Sequence, residues 1–274
     1  MSTIQLPTRE TPVKATRIGP RVLVLYSLPK VGKTEEAVKL AQLTDCLILD
    51  TEEGTKTYDT TAASILNTKG IEDIVAAIKA EGVKRATAGK KGVDIFPYKF
   101  IVLDTLDKFE EYADVSATVK YRNGPMNKNK KFEERGCTSV TELPDGFGYR
   151  YLRSEVMDTI HLLAGVCPYL ILIVHVKEKL LLDKAGAEVK VNDISLTGKL
   201  APMVCAEADA IGYMYRTPKG ELRISFQTYD GAVMGARQKY LAGKDLLFSW
   251  ETIYPDVFPQ PVTELSEAAV AQPV

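Results

Sequence analysis

The segment that most constrains the fold of this chain is the loop from Ser27 to Thr34, which reads Ser-Leu-Pro-Lys-Val-Gly-Lys-Thr. The apolar run Val22 to Leu25 comes just before it, and an amphipathic stretch begins at Glu35. This order of strand, loop and helix is typical of a phosphate-binding P-loop. In such a loop, backbone N–H groups surround a phosphate, a lysine bridges the outer phosphates, and a hydroxyl ligates Mg²⁺.

The loop therefore supplies the candidate residues for binding a nucleotide. Lys33 is predicted to contact the outer phosphates and Thr34 to ligate Mg²⁺. The P-loop pattern has glycine at its first position, where this chain has serine. The alternative is an ordinary strand-to-helix turn that contains Gly-Lys-Thr. The cofactor-binding candidates are Ser27, Leu28, Pro29, Lys30, Val31, Gly32, Lys33 and Thr34.

Length and composition limit the class of protein. The 274 residues suit one large α/β domain, and the net charge of −1 gives no overall attraction to nucleic acid. The four cysteines lack Cys-x-x-Cys spacing and there are two histidines, so reduced thiols are expected and a structural zinc site is not. The polar start and the lack of a long apolar run predict a soluble, cytoplasmic protein.

Strand-like and helix-like segments alternate through the first two thirds of the chain, which predicts a mostly parallel sheet covered by helices. A β-hairpin is expected near the C-terminus, around Pro218-Lys219-Gly220. The predicted strands are 22–26, 46–50, 100–103 and 169–174. The predicted helices are 34–43, 71–80, one beginning near 105, and 151–165, with a loop at 82–92. The predicted domains are an N-terminal extension at 1–17, one ATPase domain at 18–258 with a basic loop at 119–150, and a flexible tail at 259–274.

A second chemical element is the apolar strand beginning at Phe100, which ends in Asp104 and is followed by Thr105. Downstream of a P-loop, such a strand is typical of a Walker B segment, whose aspartate holds Mg²⁺. The alternative is a buried strand whose end simply leads into a helix N-cap.

Three further side chains are candidates for catalysis because they follow strand ends. Glu52 comes just after the strand Cys46 to Asp50 and is predicted to orient or deprotonate the attacking water, with Glu53 as the second candidate. His175 follows the strand that begins at Tyr169 and would face the same edge of the sheet. The alternatives are solvated loop charges for the glutamates and a sheet-edge cap for the histidine.

Taken together, these motifs resemble the phage-encoded RecA-like P-loop ATPases, an AAA-type ATP-binding family with a minimal RecA core. The resemblance covers roughly residues 18 to 240. It rests on the P-loop, Asp50-Thr-Glu-Glu-Gly-Thr, Ile101-Val-Leu-Asp-Thr, Gly146-Phe-Gly-Tyr and Ile171-Leu-Ile-Val-His, in that order. It implies a RecA-like P-loop NTPase fold and ATP and Mg²⁺ as cofactors. It also implies metal binding by Thr34 and Asp104, and places His175 where such proteins sense the γ-phosphate. A phage protein would act in the host cytoplasm.

RecA-like ATPases commonly complete their site with a cation from a neighbouring subunit. Arg237 and Lys239 resemble the paired basic residues that serve this purpose, which predicts a homo-oligomer, either a ring or a filament, with a shared site. The alternative is a solvated charged loop.

Nucleic-acid contact is predicted from a basic segment with aromatic residues interleaved, between residues 119 and 135. Basic loops of this kind can track phosphates while a ring stacks on a base, although charge runs are also common on solvated surfaces. The candidates are Lys120, Arg122, Lys128, Lys130 and Lys131.

The sequence thus predicts a Mg·ATP-hydrolysing ATPase that assembles on single-stranded DNA in recombination or single-strand annealing, with a single-strand DNA-binding protein as a possible partner. One alternative is a nucleotide-dependent assembly or helicase-loading factor that acts on protein partners. Another is a P-loop small-molecule kinase, although the lysine-rich region after Asp104 shows no arginine-rich lid.

Overall fold

The protein was analysed as a computed structural model. The structure describes residues 18–124, 138–143, 146–182, 188–228 and 233–258, with the backbone alone at 178–182 and 188–191. The predicted extension at 1–17 and tail at 259–274 lie outside the described residues, as do Lys128, Lys130 and Lys131.

The described strands form a mixed, mostly parallel sheet, so the predicted α/β class is confirmed. Its order is β10-β8-β7-β1-β5-β4-β2-β3; β9 pairs with β7, and β6 pairs with β5. The six strands from β7 to β3 are parallel, and β8 and β10 extend the edge in antiparallel fashion. The strands are β1 Val22–Ser27, β2 Cys46–Asp50, β3 Ala62–Ser64, β4 Phe100–Asp104, β5 Tyr169–Leu182, β6 Glu188–Ile194, β7 Ala210–Arg216, β8 Leu222–Ser225, β9 Gly235–Ala236 and β10 Asp245–Leu247.

Helices cover both faces of this sheet because its central strands are apolar on both sides. In β1, Val24 and Tyr26 pack into the core cluster that contains α2, α3 and α4, whereas Leu23 and Leu25 pack into the cluster that contains α1 and α6. The helices are α1 Lys33–Leu43, α2 Thr68–Thr87, α3 Leu106–Asn123, α4 Tyr149–Ala164, α5 Leu200–Glu207 and α6 Trp250–Ile253.

The strand register brings distant residues to one edge of the sheet. Ser27 at the end of β1 is paired with His175 in β5, and Asp50 at the end of β2 is paired with Asp104 at the end of β4. Parallel strands align their carboxyl ends, and in open α/β sheets ligands bind outside those ends. The loops that follow β1, β2 and β4 therefore border the candidate site.

Two predicted boundaries are wrong. The second helix does not end at Ala80 but continues through Gly82 to Thr87, and it packs closely there, since a Cβ on Gly82 would lie 3.4 Å from the Ile95 carbonyl oxygen. The strand predicted at 169–174 runs on to Leu182, because its second half pairs antiparallel with β6. Apolar periodicity does not signal this second pairing.

The C-terminal hairpin is confirmed, since β7 and β8 pair antiparallel around the turn at Gly220. In the part of the chain that the structure describes, no helix is both long and apolar enough to cross a membrane.

Candidate functional site

The P-loop follows β1 and presents a buried cation. Lys33 begins α1, and its Nζ donates hydrogen bonds to Ser27 Oγ at 3.0 Å and to the Leu28 carbonyl oxygen at 3.2 Å. Burial lowers the pKa of this ammonium, although nearby carboxylates, Asp104 first among them, oppose the effect. Ser27 replaces the expected glycine and supplies a hydroxyl that holds the lysine inside the loop.

Arg216, at the end of β7, holds the backbone of the P-loop. Its Nε donates to the Val31 carbonyl oxygen at 2.9 Å, and its Nη1 donates to the Gly220 carbonyl oxygen at 3.0 Å. Gly32 has φ +120°, and a Cβ there would lie 3.1 Å from Arg216 Nη2. Glycine is therefore required at this position for its conformation and for space. Sequence reasoning missed Arg216, which is separated from Val31 by 185 residues.

Thr34 and Asp104 form the candidate metal site. Thr34 Oγ1 donates a 2.7 Å hydrogen bond to Asp104 Oδ2. Burial raises the pKa of the Asp104 carboxyl to about 6, against the opposing hydrogen bond from Thr34. A hydroxyl and a carboxylate are hard oxygen donors of the kind that Mg²⁺ prefers, and Lys33 supplies the cation for phosphate. The residues present therefore fit a magnesium nucleotide.

Glu52 is positioned by the loop that follows β2. The buried Asp50 carboxylate accepts hydrogen bonds from the backbone N–H groups of Glu52 at 3.0 Å, Gly54 at 3.2 Å and Thr55 at 2.8 Å. The Glu52 side chain is 42% exposed, and its Oε1 accepts a 3.0 Å bond from Thr105 Oγ1. Asp50 thus shapes the loop, and Glu52 is left facing the cavity beside the Walker B strand.

Glu53 takes a different direction from Glu52. It has φ +61°, and its carboxylate pairs with Lys56 at 2.7 Å, where both side chains are exposed. Glu53 does not line the cavity that contains Lys33.

His175 lies at this edge and is bonded to Asp107 in the first turn of α3. Its Nδ1 is 2.8 Å from Asp107 Oδ2, and its backbone N–H donates to Asp107 Oδ1 at 3.2 Å. The hydrogen bond to Asp107 is the main cause that raises the pKa of His175. In turn, the hydrogen bond from His175 contributes to lowering the pKa of Asp107 despite that group's burial. Sequence reasoning missed Asp107, which is also an acidic residue at a helix start and gives no separate signal.

These elements enclose a cavity of about 470 Å³, which we call the nucleotide cavity. The structure thus brings together most of the predicted nucleotide, metal and catalytic residues. The nucleotide cavity is lined by Pro29, Lys30, Gly32, Lys33, Thr34, Glu35, Glu52, Gly54, Thr57, Tyr58, Asp104, Thr105 and His175.

Arg237 and Lys239 lie elsewhere. Arg237 Nη1 pairs with Asp209 Oδ1 at 2.9 Å, and its Nη2 donates to the Ala206 carbonyl oxygen at 3.0 Å. It follows β9, which pairs with the first residues of β7. Because β7 and β1 are parallel, this position is at the edge opposite the P-loop. Arg237 and Lys239 are both exposed and do not line the nucleotide cavity of their own chain.

The predicted basic loop is helical at its start. Lys120 and Arg122 belong to the last turn of α3, which continues to Asn123. Lys120 Nζ is paired with the buried carboxylate of Glu155 at 2.5 Å, so it joins α3 to α4. This segment is helical and not a loop because α3 packs against α4. The charge pattern of the sequence does not reveal that packing.

Phe147 contacts both of these helices and belongs to Gly146-Phe-Gly-Tyr, one of the motifs on which the resemblance rests. Its ring is 42% exposed and contacts Tyr121 in α3 and Tyr151 in α4. A Cβ on the neighbouring Gly148 would lie 1.5 Å from the Val140 carbonyl oxygen, so only glycine allows the chain to pass there. The exposed side chains of Arg122 and Arg150 belong to the same helix ends.

One of the comparisons with known proteins shows the family of this chain. No curated protein sequence matches the chain. Among solved structures, the crystal structure of the RadB recombinase aligns with 12% sequence identity, covering 76% of this chain and 81% of that chain with a TM-score of 0.38. The model of the AAA domain family matches residues 19–240, which include every described residue of the nucleotide cavity. Because this match covers well over half of the 274 residues, the chain belongs to the AAA domain family.

Proposed function

We propose that this protein binds Mg·ATP in the nucleotide cavity and hydrolyses it. The observation that carries the proposal is the convergence of Lys33, the Thr34–Asp104 pair and Glu52 in one cavity at the carboxyl edge of the sheet. Membership of the AAA domain family supports nucleotide hydrolysis at a general level.

Each of these residues has a role that its position supports. Lys33 exchanges its bonds to Ser27 and Leu28 for bonds to the outer phosphates. Thr34 and Asp104 hold Mg²⁺, which neutralises charge on the phosphates when it is bound. Glu52, held by Thr105, accepts a proton from the attacking water or orients it.

Asp50 contributes without touching the substrate. Its carboxylate is occupied by three backbone N–H groups and by the hydroxyl of Thr55 at 2.5 Å. It therefore acts as the residue that fixes the Glu52 loop, and the base is the neighbouring glutamate.

We further propose that the ATPase assembles on single-stranded DNA, in recombination or strand annealing. The supporting observation is the exposed ring of Phe147 at the ends of α3 and α4, with the exposed Arg122 and Arg150 on the same helix ends. An exposed ring in a region that also carries exposed cations suits a stacked base and its phosphate. Lys120 contributes less to this surface than the sequence suggested, because its ammonium is paired with Glu155.

The test is ATP hydrolysis by the purified protein, titrated against protein concentration, with and without a poly-thymidine oligonucleotide, at low and moderate salt. We expect turnover to rise steeply with both protein and DNA. Turnover that ignores DNA despite clear nucleotide binding would reject the DNA proposal and favour an assembly factor that acts on protein partners.

A matched pair of variants sharpens the DNA arm. Phe147→Ala removes the exposed ring, and Phe147→Trp keeps a stacking surface. We expect the alanine variant to weaken oligonucleotide binding about tenfold or more, since stacking is worth roughly 1–3 kcal/mol per base, and the tryptophan variant to retain it. Fluorescence anisotropy of a labelled oligonucleotide measures both, and unchanged binding by Phe147→Ala would contradict the assignment of this surface.

A further inference from the structure

His175 is held at two points by one carboxylate. Asp107 Oδ1 accepts a 3.2 Å hydrogen bond from the backbone N–H of His175, and Asp107 Oδ2 lies 2.8 Å from Nδ1 of the ring. With these contacts the imidazole has a fixed position on the wall of the nucleotide cavity. The other ring nitrogen, Nε2, has no hydrogen bond to any residue that the structure describes, so it is the nitrogen left for a ligand.

The same turn of α3 also contacts the segment that follows β6. The Ser195 N–H donates to the His175 carbonyl oxygen at 2.9 Å, and two residues later the Thr197 N–H donates to the buried Glu110 carboxylate at 3.1 Å. The strand that leaves the nucleotide cavity and the strand that returns are therefore both tied to α3 close to its start.

The position of Asp107 could also suggest a metal site, since ligand atoms of Glu52, Asp107 and His175 lie within 4.8 Å of one another. Two observations favour a hydrogen-bonded pair instead. The Nδ1–Oδ2 distance of 2.8 Å is that of a charge-assisted hydrogen bond. Glu52 is farther away, with Oε1 3.9 Å from Nδ1, and accepts its own bond from Thr105.

We propose that Asp107 is the positioning residue for His175: its carboxylate accepts a hydrogen bond from Nδ1–H and stabilises the imidazolium, so that Nε2–H is presented to the terminal phosphate of ATP. This inference rests on the proposed binding of ATP and names the group that distinguishes ATP from ADP. The ring faces three charged groups, namely Asp107 from α3, Glu52 from the loop after β2 and Lys33 from α1.

The first experiment reads the ring directly. The chain contains two histidines, and His161 is an exposed residue of α4 that serves as the internal reference. In ¹⁵N-labelled protein without nucleotide, we expect the imidazole signals to report a protonated Nδ1 and a pKa of His175 above its ordinary value. Asp107→Asn should lower that pKa and leave the signals of His161 unchanged. An unshifted His175 in Asp107→Asn would overturn the pairing.

The second experiment measures the affinity for ATP and for ADP by calorimetry, using the non-hydrolysed analogue of ATP. We expect Asp107→Asn to reduce the ratio of ATP to ADP affinity by about tenfold or more, because a hydrogen bond to a charged group is lost. In a His175→Gln background, Asp107→Asn should have little further effect on this ratio, since the two residues act as one unit. Glu111→Gln, on the same helix and paired with Lys108, is the control and should change nothing.

The outcomes separate this inference from the proposed function. A wild-type protein that binds no nucleotide would overturn both. The ATPase proposal would stand if the wild-type protein binds ATP and Lys33→Ala does not. The role of Asp107 would be overturned if Asp107→Asn then has the same ratio of ATP to ADP affinity as the wild type. Additive effects of Asp107→Asn and His175→Gln on the ratio of ATP to ADP affinity would also overturn the role of Asp107.

Discussion

Thr34, the last residue of the P-loop, donates a 2.7 Å hydrogen bond to the carboxylate of Asp104, at the end of β4 and 70 residues away in the chain. The bond joins the two elements that the sequence predicts to hold Mg²⁺. It also forms in a cavity that Lys33 lines, so the residues proposed to contact phosphate and metal are adjacent.

Replacing Lys33 with alanine should abolish ATP binding. Its ammonium is buried, and its hydrogen bonds to residues that the structure describes go to uncharged oxygens of the P-loop, so it is available to exchange them for phosphate. We expect a loss of affinity of at least a hundredfold, on the order of 3 kcal/mol for a charge-assisted contact. Calorimetry with ATP measures it. Lys39→Ala, in the same helix but paired with Glu35 and Glu36, is the matched control and should bind normally.

Glu52→Gln should keep ATP binding and lose hydrolysis, because an amide preserves the bond from Thr105 but cannot accept a proton from water. We expect the turnover number to fall by about a hundredfold or more. Glu53→Gln is the neighbouring control, since its carboxylate points to Lys56. Steady-state rates of both variants test the assignment. Normal turnover in Glu52→Gln, or loss of turnover in Glu53→Gln, would show that Glu52 is not the general base.

Asp104→Asn should stabilise the protein without nucleotide while weakening Mg²⁺-dependent ATP binding. Burial raises the folded-state pKa of Asp104 from 3.8 to about 6. The folded state therefore binds more protons than the unfolded state between these values, and stability falls as the pH rises from about 4 to about 6. Above pH 6 this shift lowers the free energy of unfolding by about 3 kcal/mol. Asparagine carries no charge and avoids this loss.

Urea unfolding of Asp104→Asn against wild type, at pH 8 and pH 5, tests this reasoning. The gain should be largest at pH 8 and smaller at pH 5, where the wild-type carboxyl is mostly protonated in the folded state. Asp73→Asn, which alters an exposed carboxylate paired with Lys69, is the control. A pH-independent gain for Asp104→Asn would indicate a cause other than the buried charge.

The sequence predicts the parts of the site that are local and fails for those that depend on strand order. The P-loop and the strand ending in Asp104 each carry their chemistry in a few consecutive residues. Asp107 contacts His175 only because β5 lies beside β4, which brings together two residues that are 68 positions apart in the chain. No local pattern separates this aspartate from any other acidic residue in the first turn of a helix.

The same limit explains the wrong boundaries. Gly82 reads as a helix end, yet α2 continues through it, because tertiary packing overrides the weak preference of glycine against helices. The second half of β5 is a strand only because β6 returns to pair with it. Non-local pairing of this kind leaves no period in the sequence that a reader can count.

Arg216→Ala should weaken ATP binding although Arg216 belongs to no P-loop motif. The guanidinium holds the Val31 carbonyl oxygen at 2.9 Å and lies beside Gly32, so it fixes the shape of the loop and adds positive charge near the phosphates. We expect a loss of about tenfold in affinity, from a hydrogen bond to a charged group of roughly 1.5 kcal/mol. Nucleotide calorimetry measures it, and Lys219→Ala, in the adjacent exposed turn, should be unaffected.

Arg237→Ala tests whether the active site is shared between subunits. Arg237 lies at the edge opposite the P-loop of its own chain, so a role in hydrolysis requires the site of a neighbour. We expect turnover to fall on the order of a thousandfold, as for loss of an arginine finger, and to recover partly when Arg237→Ala is mixed with Lys33→Ala. Where the P-loop of an Arg237→Ala subunit faces the arginine of a Lys33→Ala subunit, both groups are intact, whereas the reverse interface lacks both, so the recovery is partial. Asp209→Asn separates this role from a structural one, since it weakens the internal ion pair but leaves the guanidinium available. A shared site predicts near-normal turnover for Asp209→Asn, whereas equal losses in both variants without complementation would assign Arg237 to holding β9 against β7.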